Sequence, residues 1–266
     1  MGTSAFSNNS VAMKQIGPIS CGDGCTRTAR GLSYIAKKGG AIHNKGMLTF
    51  EGDATFERNA AHTESSEEDG KGGAISNTGS GTILFKSKLT MKENNAQVSF
   101  SGLGGAIYNR GEIVVEGESL LSLNTASDGG GIHQTSIGTM TFNGMATFSE
   151  NFASDARGGG LTNNGGVVNI NAGSLFELNF ASGSGDGGLG AGIVNENGGV
   201  VSLMGSTTFR KNWAYWGGAI YTSDGDEENG EPASVTTFPD DTVFEDNYAE
   251  YCPDVHNGDN DNCPVV

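Results

Sequence analysis

The chain has 266 residues, 44 of them glycine, and a formal net charge of −16 from 31 acidic and 15 basic residues. That charge excludes binding to nucleic acid and to anionic lipid surfaces, and glycine without a three-residue period or many prolines excludes collagen. Apolar residues come in groups of two to four, far short of the roughly 18 that cross a bilayer, so no membrane span is expected.

The opening MGTSAFSNNS lacks the basic and apolar regions of a secretory signal. Phe6–Asn9 reads as the tail of a coil whose start is missing, and an insertion up to Lys38 carries Cys21 and Cys25. Residues 1–38 are therefore read as a partial coil and cap. From Gly39 a pattern begins that recurs at Gly72, Gly104, Gly129, Gly158, Gly190 and Gly217. Each copy has a segment of the Gly-Gly-Ala-Ile-x-Asn kind, complete at Gly39, Gly72 and Gly104 and varied in the others, then a second apolar strand such as MLTFEG, TILFKS or EIVVEG. It ends in an apolar-x-x-Asn-x-Ala box, the first at Phe56–Asn59 and the last at Phe244–Asn247. The anchoring residues Ile42, Ile75, Ile107, Ile132, Leu161, Ile193 and Ile220 are spaced by 33, 32, 25, 29, 32 and 27.

Strands of three to six residues broken by Gly and Asn, at a period near 30 with variable loops, describe a parallel β-solenoid rather than helix pairs or propeller blades. None of the five prolines lies between Pro18 and Pro232, as expected where residues must donate backbone hydrogen bonds to neighbouring coils. Residues 39–251 form the repeats. At 252–266 a cap begins with Cys252-Pro253-Asp254-Val255-His256-Asn257 in the place of an eighth glycine segment, and it also holds Cys263. Two local disulfides, within Cys21/Cys25 and within Cys252/Cys263, fit an oxidising compartment; pairing across the ends stays open.

Period-two alternation assigns faces. The Ile points inward, and so does the polar column Asn44, Asn77, Asn109, Gln134, Asn163, Asn195 and Thr222, which predicts an amide ladder at about 4.8 Å per coil. The Phe of each box is an inward aromatic column, and its Asn suits the next corner. The column after Ile, from His43 through Ser76, Tyr108 and His133 to His256, is expected to face solvent. Its three histidines lie several coils apart, too far to share a metal held by bonds near 2 Å. Between Asn and Ala of the last four boxes stand Phe152, Phe180, Trp213 and Tyr248, an outward aromatic stripe that Tyr215 and Trp216 broaden. These six are the candidate ligand-binding residues, and packing of ring on ring is the competing structural explanation.

Catalytic signatures are absent: Arg110 and Arg157 have no obvious acidic partner column, and Glu112, Glu116 and Glu118 read as a solvated strand face. No resident cofactor is expected. Calcium is the one candidate, at SGSGDGGLGAG (182–192) or DVHNGDNDN (254–262), where Asp, Asn and Gly supply oxygen ligands and turns alike.

Gly-Gly-Ala-Ile recurring with Phe-x-x-Asn over residues 39–257 resembles the repeats of chlamydial polymorphic outer membrane proteins, autotransporter-like surface proteins. The resemblance implies a single right-handed parallel β-helix of the pectate-lyase-like kind, all-β, with about seven to eight coils, and a role in adhesion. Met91 and Leu121 depart from the Phe of the box, and the Tyr/Phe alternation of a translocating barrel is absent. The expected function is a non-enzymatic extracellular or surface module that binds glycans or surface proteins, as part of a longer chain or assembly. The alternative is a carbohydrate-active enzyme: a polysaccharide lyase, epimerase or hydrolase.

Overall fold

Alternation of apolar and polar residues sets the strands, and like residues of successive copies lie over one another. The computed structural model describes residues 4–7, 28–29, 38–61, 70–96, 101–183, 188–225, 232–257 and 263. Among them all regular structure is β, the strand pairs are parallel, and no helix is long and apolar enough to cross a membrane. The chain is a parallel β-solenoid with four sheets. An eight-stranded Ile sheet runs from Ile42–Asn44 to Val255–Asn257, and a seven-stranded middle sheet from Met47–Phe50 to Val235–Thr237. A nine-stranded box sheet holds the Phe-x-x segments, and a five-stranded short sheet runs from Gly70–Lys71 to Phe180–Ala181. Among the described residues five turns carry a strand in all four sheets, fewer than the seven to eight coils expected, because the described turns at either end have no strand in the short sheet.

Register is continuous. Ile42 pairs with Ile75, Ile75 with Ile107, Ile107 with Ile132, and the column continues through Leu161, Ile193 and Ile220 to Val255. At the N-terminal side Ser4–Ser7 stacks on Ala54–Glu57 with Phe6 opposite Phe56. Inside, Phe148, Phe176, Phe209 and Phe244 stack with centroids 4.5, 4.9 and 5.4 Å apart. Phe142 of the middle sheet meets Phe148 edge-on at 5.9 Å. Each such buried ring contributes about 1.5–3 kcal/mol by removal from water.

Two corners shape the coil. The first glycine of each pair has positive φ, between +46° and +71°. At Gly104, φ +70°, a Cβ would overlap the Ile107 carbonyl oxygen. Its neighbour Gly105 lies so close to the box segment of the next coil that a Cβ would stand 2.6 Å from the Thr125 nitrogen. The glycine corner thus packs on the Asn-x-Ala backbone, which is why the two motifs recur together. The second corner lies at the box, as expected, but is turned by the residue before the Asn: Arg58, Glu93, Leu123, Glu150, Leu178, Lys211 and Asp246 have φ of 52° to 56°.

That left-handed residue turns the box Asn inward. Asn59, Asn94, Asn124, Asn151, Asn179, Asn212 and Asn247 form an unbroken ladder, each Nδ2 donating to the Oδ1 of the next coil at 2.9–3.0 Å. The expected corner role for this Asn is corrected accordingly: its side chain belongs to the core. The ladder read from the sequence is present but interrupted. Asn44 donates to Asn77, Asn77 to Asn109 and Asn109 to Gln134, and Asn163 donates to Asn195. Between the two runs, Gln134 Nε2 and Asn163 Oδ1 are buried without a partner. Asn195 continues to Thr236, whose hydroxyl meets that of Thr222.

The extra methylene of Gln134 accounts for the gap. Gln134→Asn is expected to rejoin the ladder and raise unfolding stability by about 1 kcal/mol, measured by urea denaturation; an unchanged or lowered midpoint would count against this account.

At the C-terminal end Cys252 and Cys263 form a disulfide. Cys21 and Cys25 lie outside the described residues, as do residues 184–187 and 258–262 of the two calcium candidates.

Candidate functional site

The residue between Asn and Ala begins the short sheet or the bridges that extend it, so one position per coil lines up. Phe152 pairs with Phe180, Phe180 bridges to Trp213 and Trp213 to Tyr248. The rings follow this register: Phe152–Phe180 centroids are 5.4 Å apart and tilted by 30°. Phe180–Trp213 stand at 4.4 Å and 5°, and Trp213–Tyr248 at 5.9 Å and 6°. Exposure rises along the stripe, from half-buried Phe152 and Phe180 to 39% for Trp213 and 57% for Tyr248.

A second stack runs beside it, on the position just before each glycine pair. Trp216 and Tyr251 face each other at 4.0 Å and 15°, and Tyr215 is turned by 66° and 56° against them. Tyr251 belongs to this group although the sequence reading left it out. The signal was there, since Tyr251 precedes Cys252 as Trp216 precedes Gly217. From Phe180 to Tyr248 and between Trp216 and Tyr251 neighbouring rings lie within 15° of parallel, so the exposed part of an inner ring such as Trp213 is its rim. Such pairs stabilise by about 0.5–1.5 kcal/mol beyond burial.

The column after Ile does not face solvent, contrary to expectation. Ser76, Tyr108, His133, Thr162, Val194 and His256 are buried, because the chain bends back at the glycine pair: Lys71 and Asp128 of the short sheet lie against Tyr108 and Thr162, and Trp216 lies against His256. Tyr108 stacks on His133 at 5.8 Å, and Lys71 lies 5.4 Å above the Tyr108 ring. The histidines stay apart, and among the described residues no group of three or more His, Cys, Asp or Glu converges as for a metal ion.

In the middle coils this re-entrant corner is polar. Thr162 Oγ1 donates to Asp128 Oδ1 at 2.7 Å, and His133 Nδ1 stands 3.5 Å from the same oxygen, a charge contact longer than a hydrogen bond. Arg157 Nη1 donates to Glu196 Oε1 at 2.8 Å, and Asn164 Nδ2 to the same oxygen at 3.3 Å. Arg157 therefore has an acidic partner, which alternation within one coil could not reveal because Glu196 is 39 residues away. Burial alone would push the Asp128 carboxyl up; the nearby His133, the bond from Thr162 and the charge of Arg157 outweigh it and hold the group below the ordinary carboxylate range. Burial raises Glu196, with Arg157 opposing. The polar atoms of this cluster are thus turned largely on one another. Glu112, Glu116 and Glu118 are exposed, and Asn143 donates to Glu116 at 3.0 Å.

A family profile described as the Chlamydia polymorphic membrane protein repeat matches residues 3–45 and 206–223. The second match runs from the Phe209–Asn212 box through Trp213 and Trp216 to Gly217–Ile220, the corner that carries both ring stacks. Comparison with curated proteins and with solved structures found no match. The coordinates show a parallel β-solenoid, and within it residues 3–45 and 206–223 are similar to the polymorphic membrane protein repeat.

Proposed function

We propose that the solenoid is an extracellular or surface module for adhesion, engaging glycans or proteins through its aromatic columns. The observation that carries this reading is the exposure of coaxial rings on consecutive coils, 39% for Trp213, 57% for Tyr248 and 37% for Tyr251. Tyr and Trp dominate the energetics of protein contacts because they bring large area with few torsions. A surface location accords with the repeat's name, and the disulfide Cys252–Cys263 with an oxidising compartment.

The test is binding of the folded protein to a glycan array and to cell surfaces, with a Trp213→Ala/Tyr248→Ala double variant alongside. Loss of about tenfold or more in affinity is expected; binding that survives the double substitution undiminished would overturn the assignment of the contact face. A carbohydrate-active enzyme is the second reading, favoured by the convergence of Asp128, His133, Arg157 and Glu196 in one corner. Release of reducing ends or unsaturated products from bound glycans, abolished by Glu196→Gln, would support it.

A further inference from the structure

Charge and aromatic residues are concentrated in the same stretch of the chain. Residues 212–266 hold 13 acidic residues and no Lys or Arg, a charge of −13, whereas residues 1–211, with 18 acidic and 15 basic residues, carry only −3. Both tryptophans and four of the six tyrosines fall in the same 55 residues. Upstream, cations meet carboxylates of neighbouring coils: Lys86 contacts Glu51 at 2.9 Å and Arg210 contacts Glu177 at 2.8 Å. In the last coils this pairing stops. Asp246 and Glu250, two residues before and after Tyr248, are exposed, and neither has an ion pair among the described residues. Lys211, next to the stripe, is the last cation in the chain.

We infer that the aromatic columns take a cationic polypeptide segment, one that presents arginines. The inference rests on the ring columns being the contact face. A stacked column offers its rims, and the rim of an aromatic ring is the positive edge of its quadrupole, so it does not by itself attract a cation. Attraction comes from the carboxylates at Asp246 and Glu250, while Trp213, Tyr248 and Tyr251 supply apolar area that removes water around the pair. A guanidinium suits this combination better than an ammonium: it forks onto a carboxylate in the plane of its five donors, is more weakly hydrated, and packs its flat face on aromatic surface. The exposed carboxylates of Asp240, Asp241 and Glu245 in the last coil add to the field that steers a basic segment to this end of the solenoid.

The experiment titrates the intact protein with three synthetic peptides of equal length, rich in Arg, in Lys and in Glu, and with a cationic amino-sugar oligomer, at low salt and at about 0.15 M salt. The Arg peptide is expected to bind tightest, several-fold above the Lys peptide, and to weaken as salt rises. Trp213→Ala/Tyr248→Ala and Asp246→Asn/Glu250→Gln are each expected to lower its affinity about tenfold, with circular dichroism and melting temperature confirming that both variants are folded. Equal binding of Arg and Lys peptides with no effect of the aromatic variant would reduce the site to diffuse charge and overturn the proposal, as would preference for the amino sugar or failure of the Arg peptide to bind. Were the aromatic variant to lose cell-surface binding while Arg peptides fail, the contact face would stand and only the cationic partner would fall.

Discussion

Asn124→Ala is expected to cost about 3–5 kcal/mol of unfolding free energy, although a surface substitution such as Glu116→Ala should stay within about 0.5. The Asn124 amide accepts from both the backbone and the side-chain nitrogen of Asn94, at 3.0 and 2.9 Å. It donates to the Met91 carbonyl at 3.1 Å and to Asn151 at 2.9 Å. Alanine leaves the buried Asn94 N–H without an acceptor and weakens three further groups. Each unsatisfied buried group costs about 1–3 kcal/mol. The ladder also holds Leu123 and Glu93 in the left-handed region, φ 56° and 55°, where a non-glycine residue is disfavoured by about 1–2 kcal/mol. Urea denaturation of the single variant decides the matter: a loss below about 1 kcal/mol would mean that the ladder is not a stabilising element.

Phe148→Ala should be comparably damaging, about 3–5 kcal/mol. Phe148 lies fully buried beneath Phe176, parallel to it within 1°, and against the edge of Phe142. The cavity left behind has little means of closing, because parallel hydrogen-bond ladders above and below hold the coils about 4.8 Å apart. The measured loss should therefore sit in the upper part of that range. A loss near the bare transfer value of the ring, about 1.5–3 kcal/mol, would indicate that the coils can sink together.

How much of this was legible beforehand varies by element. The Ile column and the Phe column were readable because both lie within strands, where inward and outward positions alternate with a period of two. The ladder from Asn44 to Asn195 was readable for the same reason, except that spacing says nothing about side-chain length, and Gln134 breaks it. The box Asn escaped because Phe-x-x-Asn spans three positions, which simple alternation assigns to opposite faces. A left-handed residue between them resets the alternation, and Arg58 or Glu93 carries no compositional mark of that conformation. Of the candidate site, the stripe from Phe152 to Tyr248 was legible as a column, whereas its edge-on presentation and the contribution of Tyr251 were not.

The sequence by itself determined the repeat, its register and the identity of the residues that share a column, because those depend on local alternation and on which residues tolerate a tight turn. Only the tertiary structure decided what lies beyond each outward face. The bend at the glycine pair lays Lys71 and Asp128 of the short sheet against Tyr108 and Thr162 and Trp216 against His256, and it brings Arg157 to Glu196, 39 residues away. Contacts of that kind join residues from different coils, and they follow from where the backbone turns in space rather than from the order of residues along one strand.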